Sequence, residues 1–175
     1  MSNNELIKLD GVGTILSKIC NKLIENKTLM RCLFYTSSDA LSPSLPDVTP
    51  LQIKDLCGKG NDPINDQRFY KYEFYDGIKT DTSTELRVFI PIIKPEGIYL
   101  SELNICFQII IHNTKLEIDD NKLKSLIMVN EILKDLNGKD GCGGIGSLKL
   151  ISPIIHKPWS SNFSGYYFFL NTRSR

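Results

Sequence analysis

No apolar run in this chain reaches the ~20 residues that a membrane-spanning helix requires; even residues 105–111 are interrupted by Gln108. The N-terminal residues offer no basic segment leading into an apolar one, so no secretory signal is expected and a soluble, cytosolic protein is. Histidine is scarce. His112 and His156 stand alone, each without a second His or a CxxC pair nearby, which excludes the usual local metal-binding spacings. The five cysteines, Cys20, Cys32, Cys57, Cys106 and Cys142, are scattered and odd in number, as expected of buried thiols in a reducing compartment. Nor is one charge in surplus: 21 Lys and Arg face 20 Asp and Glu. The two signs read as interspersed, so the concentrated basic surface of a nucleic-acid binder is not expected, and Arg173 and Arg175 read as a solvated end.

What is present is the composition of a globular domain with one core, 41% hydrophobic and 23% charged over 175 residues. Ile15, Leu16, Ile19, Cys20, Leu23 and Ile24 recur at helical spacing, which predicts an amphipathic helix with Thr14 as its cap. A second short apolar piece covers 29–34. Pro43 and Pro46 make 37–47 a surface loop. Thr49 and Pro50 then predict a short helix over 51–57 that Gly58 stops.

From residue 69 the period changes to two. Tyr70, Tyr72 and Phe74 alternate with Lys71 and Glu73, and Leu86, Val88 and Ile90 with Arg87 and Phe89, so an antiparallel hairpin with a long polar tip at 76–82 is expected. Pro91 marks an exposed edge or a strand end. Leu103, Ile105, Phe107, Ile109 and Ile111 form the longest alternating row, which predicts a central strand half covered on its other face. Asp119 and Asp120 open a helix with the stripe Leu123, Leu126, Ile127, Leu133 and Leu136, closed by Asn137 and Gly138. Strands over 148–155 and 166–170 follow, separated by a turn-rich 157–165 that holds the single Trp159. The sum is one α+β domain spanning 1–175, with a helical part over 1–60 and a sheet plus one long helix over 69–175. An antiparallel sheet of four to five strands packed by two main helices is expected.

The chemistry is sparse. Gly141, Gly143 and Gly146 satisfy the GxGxxG pattern, but that motif cradles phosphate only where a strand enters and a helix leaves. Here the order is reversed, and the glycines read as a helix stop. No serine lies in a GxSxG elbow, and a Cys/His pair built from His112 or His156 would have no local signature. Asp39, Asp47, Asp119 and Asp120 read as caps and loop solvation. No catalytic, metal-ligating or cofactor-binding residue is expected, and the chain does not read as an enzyme.

Aromatic residues cluster at Phe69, Tyr70, Tyr72, Phe74 and Tyr75, and again at Phe163, Tyr166, Tyr167, Phe168 and Phe169. Contiguous aromatics on a strand place rings on both faces. One set fills the core, and the other meets either this chain's own elements or a partner.

The order of the later segments carries a resemblance. A long apolar strand over 103–112 is followed by NKLKSLIMVNEILKDLNG at 121–138, GIGSLKL at 144–150 and FSGYYF at 163–168, with ICNKL at 19–23 and LFY at 33–35 before a proline-bearing loop. In this the chain resembles the tail-terminator and tail-completion (head-to-tail joining, or neck) proteins of tailed bacteriophages. The resemblance implies a virion structural protein, assembled in the host cytoplasm without a cofactor or membrane. It implies a ring, of hexameric order, at the top of the tail or in the neck, with itself and the neck, connector or tail-tube proteins as partners. DNA would pass through the lumen, which a near-neutral charge suits. Subunit contact is expected on the aromatic strands and partner contact on the tips at 76–82 and 160–164, which names Tyr70, Tyr72, Tyr75, Lys79, Thr80, Asp81, Arg87, Trp159, Asn162 and Phe163. The alternative is a small-ligand or phosphate-binding regulatory domain using the glycine segment 141–146.

Overall fold

In the computed structural model, which describes residues 10–59, 67–72, 83–96, 100–118, 122–140 and 145–174, helices α1 (Asp10–Ile24), α2 (Lys27–Phe34) and α3 (Pro50–Leu56) come first. Strands β1 (Phe69–Tyr70), β2 (Thr84–Pro95) and β3 (Ser101–His112) follow. A 3-10 turn at Asn113–Lys115 and the short strands β4 (Glu117–Ile118) and β5 (Lys122–Leu123) lead into helix α4 (Lys124–Leu136). Strands β6 (Ile145–Leu150), β7 (Ile155–Pro158) and β8 (Phe163–Ser174) complete the order. The expected α+β class is the one that forms, with more strands than expected. A six-stranded sheet runs β1-β2-β3-β8-β6 with β7 also on β8, and β4 and β5 make a separate pair.

Strand β3 pairs along its whole length, so that Phe107 lies opposite Val88 of β2 on one side and Phe168 of β8 on the other. Its odd-numbered residues, Leu103 to Ile111, face the helices together with Leu86, Val88, Leu148, Phe168 and Leu170. The Phe107 and Phe168 rings stack at 5.2 Å. Ile15, Ile19 and Leu23 of α1, Leu29, Met30 and Leu33 of α2, and Met128, Ile132 and Leu136 of α4 close this core from above. Each fully buried side chain of this size contributes about 1.5–3 kcal/mol. The face predicted to be half covered is buried on β3 as well, at Asn104, Cys106, Gln108 and Ile110.

Two local expectations are met in detail. The Gln52 amide donates to Thr49 Oγ1 and the Thr49 amide to Gln52 Oε1, a reciprocal cap with Pro50 just inside the helix. Gly58 then takes a left-handed φ of 68° as α3 ends.

Several expectations are corrected. Strands β1 and β2 are parallel, Phe69 beside Leu86 and Tyr70 beside Arg87, so they are not an antiparallel hairpin. Alternation reports strand propensity and is silent on direction. Strand β1 ends at Tyr70, and Glu73, Phe74 and the tip at 76–82 lie outside the described residues. Thr14 is not the cap of α1, which already begins at Asp10. Asp119 and Asp120 also lie outside the described residues; α4 starts at Lys124, with Leu123 at its N-cap and no side-chain cap.

The buried stripe of α4 is rotated from the predicted one. Lys124, Ser125, Met128, Val129, Ile132 and Leu136 are buried, whereas Leu123 and Leu126 are exposed. The cause is Lys124. Its ammonium donates to the Tyr35 carbonyl at 2.7 Å, and this contact turns the polar residue inward. Arg68 Nη1 donates to the Leu33 and Phe34 carbonyls beside it, both at 2.9 Å. The last carbonyls of α2, which have no partner within the helix, are thus held by two cations. At the other end the Asn26 side chain caps Leu29 N and donates to Glu131 and Asp135 of α4. Helices α2 and α4 therefore lie antiparallel, with acids at the positive end of α2 and bases at its negative end.

The C-terminal strands are also redrawn. Strands β6 and β7 lie one after the other along the same side of β8, Leu150 opposite Leu170 and Ile155 opposite Tyr167, with a break at 151–154. Lys157 and Pro158 belong to β7, and the turn is only 159–162, closed by Trp159 N donating to Phe163 O at 2.8 Å.

A Cβ at Gly165 would sit 1.9 Å from the Ile109 carbonyl oxygen, whereas one at Gly13, on the exposed side of α1, meets nothing within 4 Å. Gly165→Ala should lose at least about 3 kcal/mol in urea unfolding, and Gly13→Ala should gain about 0.5–1 kcal/mol. Burial holds Lys124 down to about 8 from 10.5. Between those values the unfolded chain keeps a proton that the folded one has lost, so this group's contribution to stability rises with pH across the window. The stability difference between the parent and Lys124→Met, followed by thermal unfolding, should move in the parent's favour from about pH 8 to 10.5; a flat difference contradicts it.

Candidate interaction surface

The sheet's second face carries polar groups on both sides of a central row of Phe89, Cys106 and Phe169. Glu85 and Arg87, two apart on β2, point to the same side, and Arg87 Nη2 lies 2.7 Å from Glu85 Oε2, with both side chains buried. Arg87 also sits 6.0 Å from the centre of the Tyr70 ring. Burial, with the nearby Glu85 carboxylate, raises the Tyr70 hydroxyl well above its ordinary value, and that hydroxyl donates to Gln67 O at 2.7 Å. Further along, Asn171 donates to Asn104 at 2.8 Å. Breaking a buried ion pair by removing one partner costs about 3–5 kcal/mol, which gives Glu85 and Arg87 a structural role inside the chain.

The residues named for contact are therefore divided. Tyr70, Arg87 and Phe163 are buried within the chain, the last with its ring edge-on to His112 at 5.0 Å. Tyr72 and Asn162 are exposed. Trp159 is half-buried, with the Lys157 ammonium 4.4 Å above its ring. Tyr75, Lys79, Thr80 and Asp81 lie outside the described residues. The structure brings Tyr70, Tyr72 and Arg87 together, the two rings 5.9 Å apart.

The histidines and cysteines have local occupations. His112 Nδ1 accepts from Thr114 N as the cap of the 3-10 turn, and exposed His156 is edge-on to Tyr166 at 5.3 Å. Burial pushes the Cys20 thiol up to about 12 and the Cys32 thiol to about 11, and raises Cys57 as well. No group of three or more His, Cys, Asp or Glu placed to hold a metal ion occurs among the described residues. Of the glycine segment, 141–144 lies outside the described residues. Helix α4 precedes it and β6 follows it, so it does not open a helix.

What sequence reasoning missed is the pair of sheet edges. Beyond an irregularity between Phe89 and Ile92, residues 91–96 of the β2 end are all exposed, including Ile92 and Ile93, with Leu100 beside them. Along the opposite edge Ile151 is 51% exposed, and Ile154 and Ile155 are also exposed. A count would have flagged this second edge. From Gly141 to Arg175 the chain has no Asp or Glu, but four of its cations; all 20 acids come earlier. The interspersion of charge holds only up to Asp140.

An α+β domain with a helical layer over one sheet face and two apolar edges is thus defined. A family model matches residues 26–172, and the chain belongs to the YomW family. No curated protein and no solved structure matches it.

A thiol of raised pKa reacts slowly because the thiolate is the nucleophile. Cys20 and Cys32, followed by peptide mapping, should resist alkylation near neutral pH in the folded protein and label rapidly in denaturant. Fast labelling of either without denaturant would contradict their burial.

Proposed function

We propose that the chain is a structural subunit of a tailed-phage particle that associates with copies of itself into a closed ring at the tail terminus or neck. The observation that carries this reading is the pair of unlike sheet borders, the β2 end and β7 with the residues before it, each presenting exposed isoleucines. Apolar side chains gathered at a sheet edge gain free energy by leaving water, and two different edges on one subunit suit a head-to-tail contact, which closes into a ring when the rotation allows.

Two further features support the reading. The later segments on which the resemblance rests are built around β3, α4, β6 and β8, three of them strands of one sheet, and the earlier two fall at α1 and the end of α2. The YomW family name suggests a Bacillus phage-region protein. In this reading the ring is a hexamer, assembled in the host cytoplasm and carried in the virion. Its partners are neck, connector or tail-tube proteins, and its lumen passes DNA without reading sequence.

Sedimentation velocity of the purified chain over a hundredfold concentration range, with electron microscopy of the largest species, tests it. Ring-shaped particles of one size are the expected result. A protein that stays monomeric throughout, alone and with disrupted phage particles, would sink the proposal.

A further inference from the structure

The two edges differ in charge as well as position. The exposed side chains of the β6–β7 edge include Lys149, His156 and Lys157; the 138–139 backbone bonds Leu148 on the outer side of β6 and brings exposed Lys139 and Asp140 beside it, so that cations outnumber acids there. At the β2 end, Glu96 and, on the adjoining start of β3, Glu102 are partly exposed, and each is paired with an exposed cation, Arg173 at 3.0 Å and Lys94 at 3.3 Å. Exposed pairs of this kind are worth little and exchange readily for new partners.

We infer that the β6–β7 edge of one copy docks against the β2 edge of a second copy, with Ile151, Ile154 and Ile155 meeting Ile92 and Ile93, and the lysines meeting Glu96 and Glu102. This deepens the self-association reading above and rests on it. An apolar centre with charges at its rim is the ordinary anatomy of a protein–protein contact. A polyanion fits the same edge less well. Phosphates gain nothing from three isoleucines, and the Trp159 ring on which a base would stack is already covered by Lys157. Prolines shape the contact too. Pro91 and Pro95 on β2, with Pro153 and Pro158 on the other edge, lack backbone donors. The joint is made by side chains and does not run on as an open-ended ladder.

The test uses the full chain and two double variants, Ile151→Glu with Ile155→Glu and Ile92→Glu with Ile93→Glu. All four positions are exposed, so the fold should survive; circular dichroism checks this, and serine at the same positions replaces any variant that fails. In sedimentation velocity each variant alone should remain monomeric, its association weakened at least tenfold, and an equimolar mixture should form dimers and nothing larger, because each dimer pairs one intact edge of each kind. If the parent assembles and either variant assembles as well as it does, the docking is wrong while self-association stands. Dimers formed by one variant alone would show a two-fold contact and also overturn it. A parent that never assembles overturns the self-association reading itself. Duplex DNA binding by the parent, abolished in Lys149→Ala with Lys157→Ala, would make the edge a nucleic-acid surface and reject the inference.

Discussion

Strand β3 is buried on both faces, and this constrains everything around it. Backbone amides and carbonyls out of reach of water must find partners in the protein, so a twelve-residue strand in that position needs a neighbour along the full length of each side. Strands β2 and β8 supply them, in register from Ser101 to His112 with β8 and with one irregularity against β2. The neighbours inherit the alternation, and so one face of three strands becomes apolar and receives the helices. Gly165 shows how close the fit is. It lies opposite Ile110, and the backbone there leaves no room for a side chain.

The helical layer depends on a second, electrostatic constraint. Helix α2 has only eight residues, too few to be stable alone, and its ends must be satisfied by what surrounds it. Lys124 and Arg68 hold its last carbonyls, and Asn26 joins its first turn to Glu131 and Asp135. Burying an ammonium is costly, which is why the pKa of Lys124 falls. The cost is offset because the Tyr35 carbonyl it reaches, at the C-terminal end of α2, has no partner within the helix. The same contact sets the rotation of α4 and so decides which of its apolar residues enter the core.

The class, the helix at Thr49–Pro50, the central strand and the apolar face of α1 follow from period and capping, which are local properties. The direction of β1 and the phase of α4 do not. Tyr70 looks the same in a parallel pair as in a hairpin, and α4 contains two overlapping apolar stripes that long-range contacts, Lys124 with Tyr35 and Asn26 with Glu131 and Asp135, tell apart. Contact residues were the least legible. The aromatic clusters point to Tyr70 and Phe163, which the fold buries, while the plain isoleucines Ile151, Ile154 and Ile155 are exposed. Their signal is a missing residue type over a long stretch, and it becomes meaningful only when that stretch forms one border of a sheet.

Where the described residues leave a sheet edge without a partner, along β7 and the far end of β2, the fold has to meet the danger of unlimited pairing. Here the borders are treated alike in one respect and differently in another. Both carry prolines, which removes backbone donors and discourages pairing by the ladder. One border carries more cations than acids, while the other keeps carboxylates in loose surface pairs. Identical borders would favour a two-fold pair that stops at two; unlike borders favour a repeat that stops only when it returns to its start. The arrangement of charge, which costs the folded monomer little, therefore selects the symmetry of any assembly that the isoleucines drive.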